Sequence, residues 1–129
     1  MRENRKSLGA AGETAAANYL TRIGYRVVGQ NVRPVPGMSR GEIDIVAWEG
    51  TVLVFVEVKT RRRPLSNQGY ASESINYAKR RQLVSLANAY IGINRIGEVA
   101  CRFDVVFVIP RPDAPSVMQL VRNAFDASF

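Results

Sequence analysis

The sequence predicts an α/β fold in which helices flank a single mixed β-sheet. One helical segment is followed by three strand-like segments, a second helical segment and two further strand-like segments, in the order α-β-β-β-α-β-β. Three consecutive strands favour an antiparallel meander, and the long helix after them permits a parallel crossover. The length of 129 residues suits one domain over residues 1–129, and no internal repeat is visible.

Apolar periodicity and turn residues define the elements in order. Gly24 is placed to end a first helix over 7–23, and Pro110 is expected to stop a strand that begins at 100. A second helix is expected over 73–93. The apolar stripes of the two helices are Leu8, Ala11, Ala15, Tyr19 and Ile23, then Ile75, Leu83, Leu86, Tyr90 and Ile93. The expected strands are 25–32, two within 41–63 around a Glu49-Gly50 turn, 100–110 and 116–123, with loops over 33–41 and 61–72.

Composition excludes several classes of active site. The chain has no histidine, which rules out a Ser-His-Asp triad, a Cys-His pair and any histidine-containing zinc site. The single Cys101 can form neither an internal disulfide nor a thiolate cage, and we expect it to be a small buried thiol. Any metal must therefore be held mainly by oxygen, which suits Mg²⁺, Mn²⁺ or Ca²⁺.

The charge balance indicates a polyanionic partner. The net charge is +7 and the pI is near 10.2, which favours nucleic acid first and an anionic membrane second. No apolar run approaches the length of a transmembrane helix, and the basic start has no apolar segment behind it. We therefore expect a cytoplasmic protein without a membrane partner.

Four charged residues interrupt the apolar segment "GEIDIVAWEGTVLVFVEVKTRRR" at 41–63. They are Glu42, Asp44, Glu57 and Lys59. Strands this hydrophobic are usually buried on both faces, where an unpaired charge costs several kcal/mol or shifts its pKa. The pattern therefore calls for a cation or for mutual pairing inside the sheet.

A two-residue turn at Glu49-Gly50 predicts how these charges are arranged. Trp48 would then pair with Thr51, which places Asp44 opposite Phe55 and Glu42 opposite Glu57. All four charges fall on one face, and the other face is wholly apolar. Asp44 and Glu57 become diagonal neighbours about 7–8 Å apart, close enough to converge on one cation.

Two helical side chains have alternative interpretations. Lys79 falls inside the apolar stripe of the second helix, where it either snorkels to solvent or points its ammonium at the carboxylates or a phosphate. Glu13 lies at the edge of the first stripe among small residues, where it is either solvated or able to reach the same site. Arg80 and Arg81 leave the second stripe and could face a nucleic-acid backbone.

The spacing of these residues resembles a known signature. Asp44, twelve intervening residues and Glu57-Val58-Lys59 resemble the PD-(D/E)XK nuclease motif, with Ile43 where that motif has proline. The element order resembles the restriction-endonuclease-like core of that superfamily. Six segments resemble the YraN family of uncharacterised, endonuclease-like bacterial proteins over nearly the whole chain: "GETAAANYL", "GYRVVGQNVR", "GEIDIVA", "VFVEVKTR", "AKRRQL" and "RFDVVFV".

The resemblance implies roles for individual residues. It implies that Asp44 and Glu57 bind a divalent metal, usually Mg²⁺, that the carbonyl of Val58 completes the coordination, and that Lys59 positions or activates the attacking water. In resolvase-like nucleases a first-helix glutamate also approaches the metal, which corresponds to Glu13. A residue of the helix after the third strand often joins the site, which corresponds to Lys79 or Gln82, and Glu42 is expected to support it.

The resulting prediction is a Mg²⁺- or Mn²⁺-dependent phosphodiester hydrolase, an endonuclease acting on DNA, with branched or damaged DNA as candidate substrates. The backbone contacts would come from Arg61, Arg62, Arg63, Arg80 and Arg81. One alternative is a nucleic-acid-binding protein that keeps the fold without turnover. Another is an RNA-directed protein, although an aromatic content of 9% disfavours a single-strand stacking platform. Nucleases that cut both strands often form homodimers, which makes a homodimer a candidate assembly.

Overall fold

A computed structural model describes residues 5–35, 37, 41–66 and 75–126, with side chains described from residue 9 onward. It confirms an α/β fold with one mixed sheet and the predicted element order. The described residues do not include 36, 38–40 and 67–72 of the expected loops over 33–41 and 61–72. They also do not include the first two residues of the expected helix over 73–93. The elements are α1 Arg5–Arg22, β1 Arg26–Val32, β2 Ile43–Glu49, β3 Val52–Thr60, α2 Tyr77–Ile93, β4 Cys101–Arg111 and β5 Ala114–Phe125.

The five strands lie in the sheet in sequence order. The first three form the expected antiparallel meander, and α2 carries the chain across to β4, which runs parallel to β3. β5 returns antiparallel to β4. Pro110 does not end β4 as expected, because the register shifts between Ile109 and Arg111 and the irregularity accommodates a residue without an N–H donor.

The helix α1 covers one face of the sheet. Its buried residues are Ala16, Ala17 and Leu20, which pack against a cluster of strand residues that includes Val54 and Val106. The expected stripe was offset, because Ala11 is exposed and Ile23 is 40% exposed. Small alanines on the buried side let the helix axis approach the strands closely, a geometry that apolar spacing alone does not predict.

The helix α2 covers the opposite face, and its buried residues Leu83, Leu86 and Ala87 join a second apolar cluster around Phe55. Ile75 is buried as expected but precedes the helix, whose N-cap is Asn76. Ile93, the last helical residue, is 54% exposed and contributes little to the expected stripe.

The turn between β2 and β3 lies one residue later than expected. Glu49 pairs with Val52, so that the loop is Gly50-Thr51, and Gly50 supplies the positive φ of 60°. Phe55 therefore lies opposite Val46 rather than opposite Asp44.

The predicted Glu42–Glu57 pair is also wrong, because the whole register moves by two residues. A shift of two keeps the β3 side chains on their predicted faces, since side chains alternate with a period of two. The ladder between the two strands ends at Ile45 and Val56.

The start of β2 leaves the alternation of side chains, because Ile43 packs on the α2 side with Val46, whereas Ile45 and Ala47 pack on the α1 side. The predicted single charged face is therefore wrong: Glu42 and Asp44 lie near Glu13 of α1, whereas Glu57 lies near Lys79 of α2.

A buried polar network joins the strands at the other end of the sheet. Asp104 has a fully buried side chain and accepts hydrogen bonds from Tyr25 Oη at 2.7 Å, Arg102 Nε at 2.8 Å and Asn123 N at 3.0 Å. Arg102 also binds Glu49 Oε1 at 2.6 Å. The network thereby fixes parts of β2, β4 and β5, and the residue before β1, around one carboxylate.

Two further expectations concern exposure. Cys101 is exposed rather than buried, because it is the first residue of β4 and lies outside the apolar clusters. Within the described part of the chain, neither helix is long and apolar enough to cross a membrane.

Candidate metal centre

The candidate centre lies where β2 and β3 separate. Beyond the last ladder pair, the carboxylate of Asp44 accepts a hydrogen bond from the backbone N–H of Val58 at 2.8 Å, from N to Oδ2. A side chain thus takes the place of a backbone partner at the point where the strands part. Asp44 consequently lies between the two strands, within reach of groups from both helical layers.

Three carboxylates meet at this opening. Glu13, Glu42 and Asp44 each offer an oxygen, and these oxygens lie within 4.8 Å of one another. Glu13 comes from α1, which sits so close to β3 that a Cβ at Gly12 would lie 3.1 Å from Thr60 Oγ1. Of the two interpretations of Glu13, the structure supports the one in which it reaches the site.

Glu57 is the fourth carboxylate of the centre and lies on the α2 side. Its side chain is 12% exposed, and Oε1 lies 3.8 Å from Lys79 Nζ. Its other oxygen, Oε2, is buried and has no hydrogen-bond partner among the described residues. Burying an unsatisfied carboxylate oxygen costs free energy, and a ligand, a cation or a proton at Glu57 would offset that cost.

Burial and mutual repulsion raise the pKa values of this cluster. Burial and then the charge of Asp44 raise the pKa of Glu57 to about 7, against the opposing effects of Lys79 and Lys59. Burial and Asp44 likewise raise the pKa of Glu13 to about 7. Burial also raises the pKa of Asp44, although the Val58 N–H opposes it. Groups with such shifts cluster at functional sites.

The donor set fits a hard divalent cation. The nearest group of three contains Asp44 with Glu13 and Glu42, and Glu57 adds the unsatisfied oxygen next to Asp44. All four side-chain donors are carboxylates, which suits Mg²⁺ or Mn²⁺. Of the expected ligands, Asp44 and Glu13 belong to the group within 4.8 Å, and Glu42, expected only in a supporting role, completes it. Glu57 lies outside that group and acts on Asp44 through its charge, so the expected Asp44–Glu57 pair stays a prediction.

The remaining predicted site residues surround this cluster. The Lys79 ammonium points at the carboxylates rather than only at solvent, since it lies near Glu57. Gln82 lies beneath the start of β2, where a Cβ at Gly41 would fall 2.5 Å from its Nε2, and Gly41 has a φ of 77°. Lys59, two residues after Glu57 on β3, is partly buried. The coordinating role of the Val58 carbonyl stays a prediction.

The predicted nucleic-acid-binding arginines form two groups. Arg62 and Arg63 are exposed just after β3, while Arg61 donates to the Thr60 carbonyl and lies 5.8 Å from the Phe107 ring centroid. On α2, Arg81 is exposed, whereas Arg80 donates from Nε to the Ile75 carbonyl at 2.6 Å. None of these contacts involves a nucleic acid, so the role of the arginines in binding stays a prediction.

Two residues escaped the sequence analysis. Asn31, at the end of β1 with a φ of 51°, hydrogen-bonds the Glu13 carboxylate and opposes the rise of its pKa. Gln119 on β5 accepts from the Leu65 N–H at 2.7 Å and donates to the Leu65 carbonyl at 3.2 Å. Gln119 thereby anchors the segment that carries the three consecutive arginines. A polar residue amid apolar neighbours in β5 was the only available signal for it.

Comparison with known proteins assigns the family. Residues 12–108 match the model of the uncharacterised protein family UPF0102. A UPF0102 protein of Symbiobacterium thermophilum is 47% identical over 124 residues, which cover 95% of this chain and 98% of the relative. The chain belongs to the UPF0102 family. The predicted YraN resemblance is thereby confirmed at the level of the family.

Further UPF0102 relatives are similar over nearly their whole length. A protein of Lachnoclostridium phytofermentans is 42% identical over 125 residues, covering 96% of this chain and 97% of its own. A protein of Geobacter sulfurreducens is 39% identical over 127 residues, covering 98% of this chain and 94% of its own. The UPF0102 match covers both Asp44 and Glu57 and thus the whole candidate centre.

Proposed function

We propose that this chain is a divalent-cation-dependent phosphodiester hydrolase that cuts DNA. The observation that carries the proposal is the gathering of Glu13, Glu42 and Asp44 where β2 and β3 part, beside a buried Glu57 oxygen that has no hydrogen-bond partner among the described residues. Carboxylates alone would repel a phosphate, so a chain of net charge +7 gains from clustering them only if a cation is held there. The PD-(D/E)XK resemblance supports the same assignment.

The donors in this proposal are the carboxylates of Asp44, Glu57, Glu13 and Glu42, with the Val58 carbonyl as a further oxygen. When bound, Mg²⁺ or Mn²⁺ supplies Lewis-acid chemistry that activates water and neutralises charge on the scissile phosphate. The Val58 N–H holds the Asp44 carboxylate in one orientation at 2.8 Å. Lys59 and Lys79 supply ammonium groups beside the carboxylates, where they stabilise the negative charge that develops on the phosphate in the transition state.

A second candidate function is nucleic-acid binding without turnover. The Lys79 ammonium at 3.8 Å from Glu57 favours it, because an internal cation can neutralise the cluster in place of a metal. This candidate predicts nucleic-acid binding that does not depend on divalent cations and yields no cleavage.

The test is cation binding followed by cleavage. We expect calorimetry to show Mn²⁺ binding that Asp44→Asn and Glu57→Gln each abolish, since each removes a charged donor from a small site. Linear, nicked, flapped, branched and single-stranded DNA and RNA are then incubated with Mg²⁺ or Mn²⁺.

Exposed acidic residues provide matched controls. Asp113→Asn, in the turn between β4 and β5, and Glu98→Gln, after α2, remove the same charges away from the centre and should change neither cation affinity nor cleavage. Undiminished Mn²⁺ affinity in both Asp44→Asn and Glu57→Gln contradicts the metal assignment. Cation binding by the wild type without cleavage of any member of the panel favours the second candidate.

A further inference from the structure

One aromatic ring lies on the surface at the start of α2, the helix whose Lys79 faces the candidate metal centre. Tyr77 begins α2 and is 59% exposed, and no other aromatic among the described residues stands among the exposed large apolar side chains. It lies two residues before Lys79, whose ammonium faces Glu57.

The first two turns of α2 connect the carboxylates with this ring. At about 100° per residue, successive positions around the helix run from Lys79 through Gln82 and Ala78 to Arg81 and Tyr77. An open groove of about 590 Å³ is lined by Ala78, Lys79, Arg81 and Gln82. The groove thus lies along the helix flank between Lys79, whose ammonium is 3.8 Å from Glu57, and Arg81.

Arg81 joins the groove to the aromatic ring. Its guanidinium lies 5.8 Å from the centroid of the Tyr77 ring, the i, i+4 neighbour on the helix. A planar cation beside an aromatic face is the combination that binds an unstacked base and its phosphate together. Lys79 adds a second cation on the side of the metal centre.

We propose that Tyr77 and Arg81 form a stacking site for an unpaired base of the DNA strand whose phosphate lies at the metal centre. The inference rests on the proposed function and adds a substrate class, namely DNA in which unpaired nucleotides adjoin a duplex. Bases within a duplex are already stacked on their neighbours, so a protein ring gains contact only with a base that has left the stack.

The helix geometry sets the position of that base. Tyr77 and Lys79 point to nearly opposite sides of a helix whose diameter with side chains is roughly 10 Å. A strand that reaches from one side to the other must pass around the flank of the helix. The stacked base therefore lies several nucleotides from the phosphate at the carboxylates.

The experiment measures stacking directly, without cleavage. Duplexes with a single-stranded tail carry 2-aminopurine at successive tail positions, and binding is followed by its fluorescence in Ca²⁺ in place of Mg²⁺. We expect the wild type to quench 2-aminopurine most strongly at one position of the tail. Tyr77→Ala should lose this quenching and bind the tailed duplex about tenfold more weakly, while Tyr77→Phe should retain both.

Matched controls separate stacking from general effects. Ile93→Ala removes a similarly exposed apolar side chain from the far end of α2 and should change neither quenching nor affinity. Blunt duplex should bind wild type and Tyr77→Ala equally. Thermal unfolding of each variant checks that its fold is intact.

The outcomes distinguish the stacking site from the proposed function. If the wild type cleaves DNA and Tyr77→Ala quenches and binds as well as the wild type, the stacking site is wrong and the hydrolase proposal stands. Equal weakening on blunt and tailed duplexes also overturns the stacking site, since Tyr77 then contacts paired DNA. A wild type that binds none of these DNAs overturns both.

Discussion

The side chain of Asp44 lies at the point where β2 and β3 part and the candidate site begins. It occupies a position where the next backbone pair would form, accepts the Val58 N–H and faces carboxylates from α1 and from the loop before β2. Burial, and then the negative charge of Asp44, raise the pKa values of Glu13 and Glu57, and the accumulated charge is destabilising in the absence of a cation.

Glu57 gives a stability prediction with a defined sign. Its folded pKa, about 7, lies above the ordinary value of 4.5, so the folded state holds the proton more tightly. The metal-free protein should therefore lose stability as pH rises from 4.5 through 7. The Glu57→Gln variant carries no charge at this position and should not lose that stability as the pH rises. In EDTA, the melting temperature of Glu57→Gln should therefore exceed that of the wild type by about 5 °C at pH 8 but not at pH 5.

The exposed Glu98→Gln provides the control for that comparison and should melt like the wild type at both pH values. A melting temperature for Glu57→Gln below that of the wild type at pH 8 would mean that Lys79 already compensates the charge fully.

The effect of replacing Lys59 distinguishes an enzyme from a binding protein. We expect Lys59→Ala to keep cation and DNA affinity but to lose on the order of a hundredfold in single-turnover cleavage, because an ammonium that stabilises developing charge acts on the transition state. Lys59→Arg should restore only part of the rate, since a planar guanidinium cannot replace a compact ammonium.

Arg63→Ala is the matched control, since it removes an exposed cation four residues along the chain. It should weaken DNA binding and leave the cleavage rate at saturating protein unchanged. Equal cleavage by Lys59→Ala and the wild type would remove Lys59 from the mechanism.

At the level of elements, the sheet faces of the β3 residues were predictable, whereas the strand pairing and the face of Ile43 in β2 were not. Alternation fixes the face, and a shift of two residues preserves it, which is why the charges of β3 were correctly grouped. The actual pairing depends on whether the turn is Glu49-Gly50 or Gly50-Thr51, and the end of the ladder at Ile45 depends on tertiary packing. The small residues around Glu13 allowed the prediction that it could reach the site, but only the close approach of α1 at Gly12 distinguishes this from a solvated side chain.

The segment after β3 gives a prediction about an element. Gln119 holds both backbone groups of Leu65, and two hydrogen bonds of about 1 kcal/mol each restrain the preceding arginines. In Gln119→Leu, trypsin should cut after Arg61 or Arg62 about tenfold faster than in the wild type. Gln30→Leu, an exposed glutamine on β1, should not change the rate.

Faster cutting in Gln119→Leu should be accompanied by weaker DNA binding and by unchanged Mn²⁺ affinity. Unaltered proteolysis would show that the segment is fixed by contacts other than the Gln119 amide.

The whole molecule carries a net charge of +7, and this excess should govern DNA affinity. The logarithm of the association constant should fall linearly with the logarithm of salt concentration, at about 0.9 per neutralised phosphate of duplex DNA. Replacing both Arg62 and Arg63 by alanine should make this slope shallower by about 1.8.

Arg26→Ala, at the end of the sheet away from the metal centre, should leave the salt slope as it is. An affinity that does not respond to salt would contradict an electrostatic mode of binding.

The network around Asp104 has a consequence for mutational tolerance. Asp104 is fully buried, so replacing Arg102 alone leaves a buried negative charge without its cation, at a cost of about 3–5 kcal/mol. Replacing Asp104 and Arg102 together by apolar residues of similar volume removes both charges at once and costs far less. Sequence drift at this end of the sheet must therefore pass through paired substitutions, and a library selected only for folding should recover the double replacement more often than either single one.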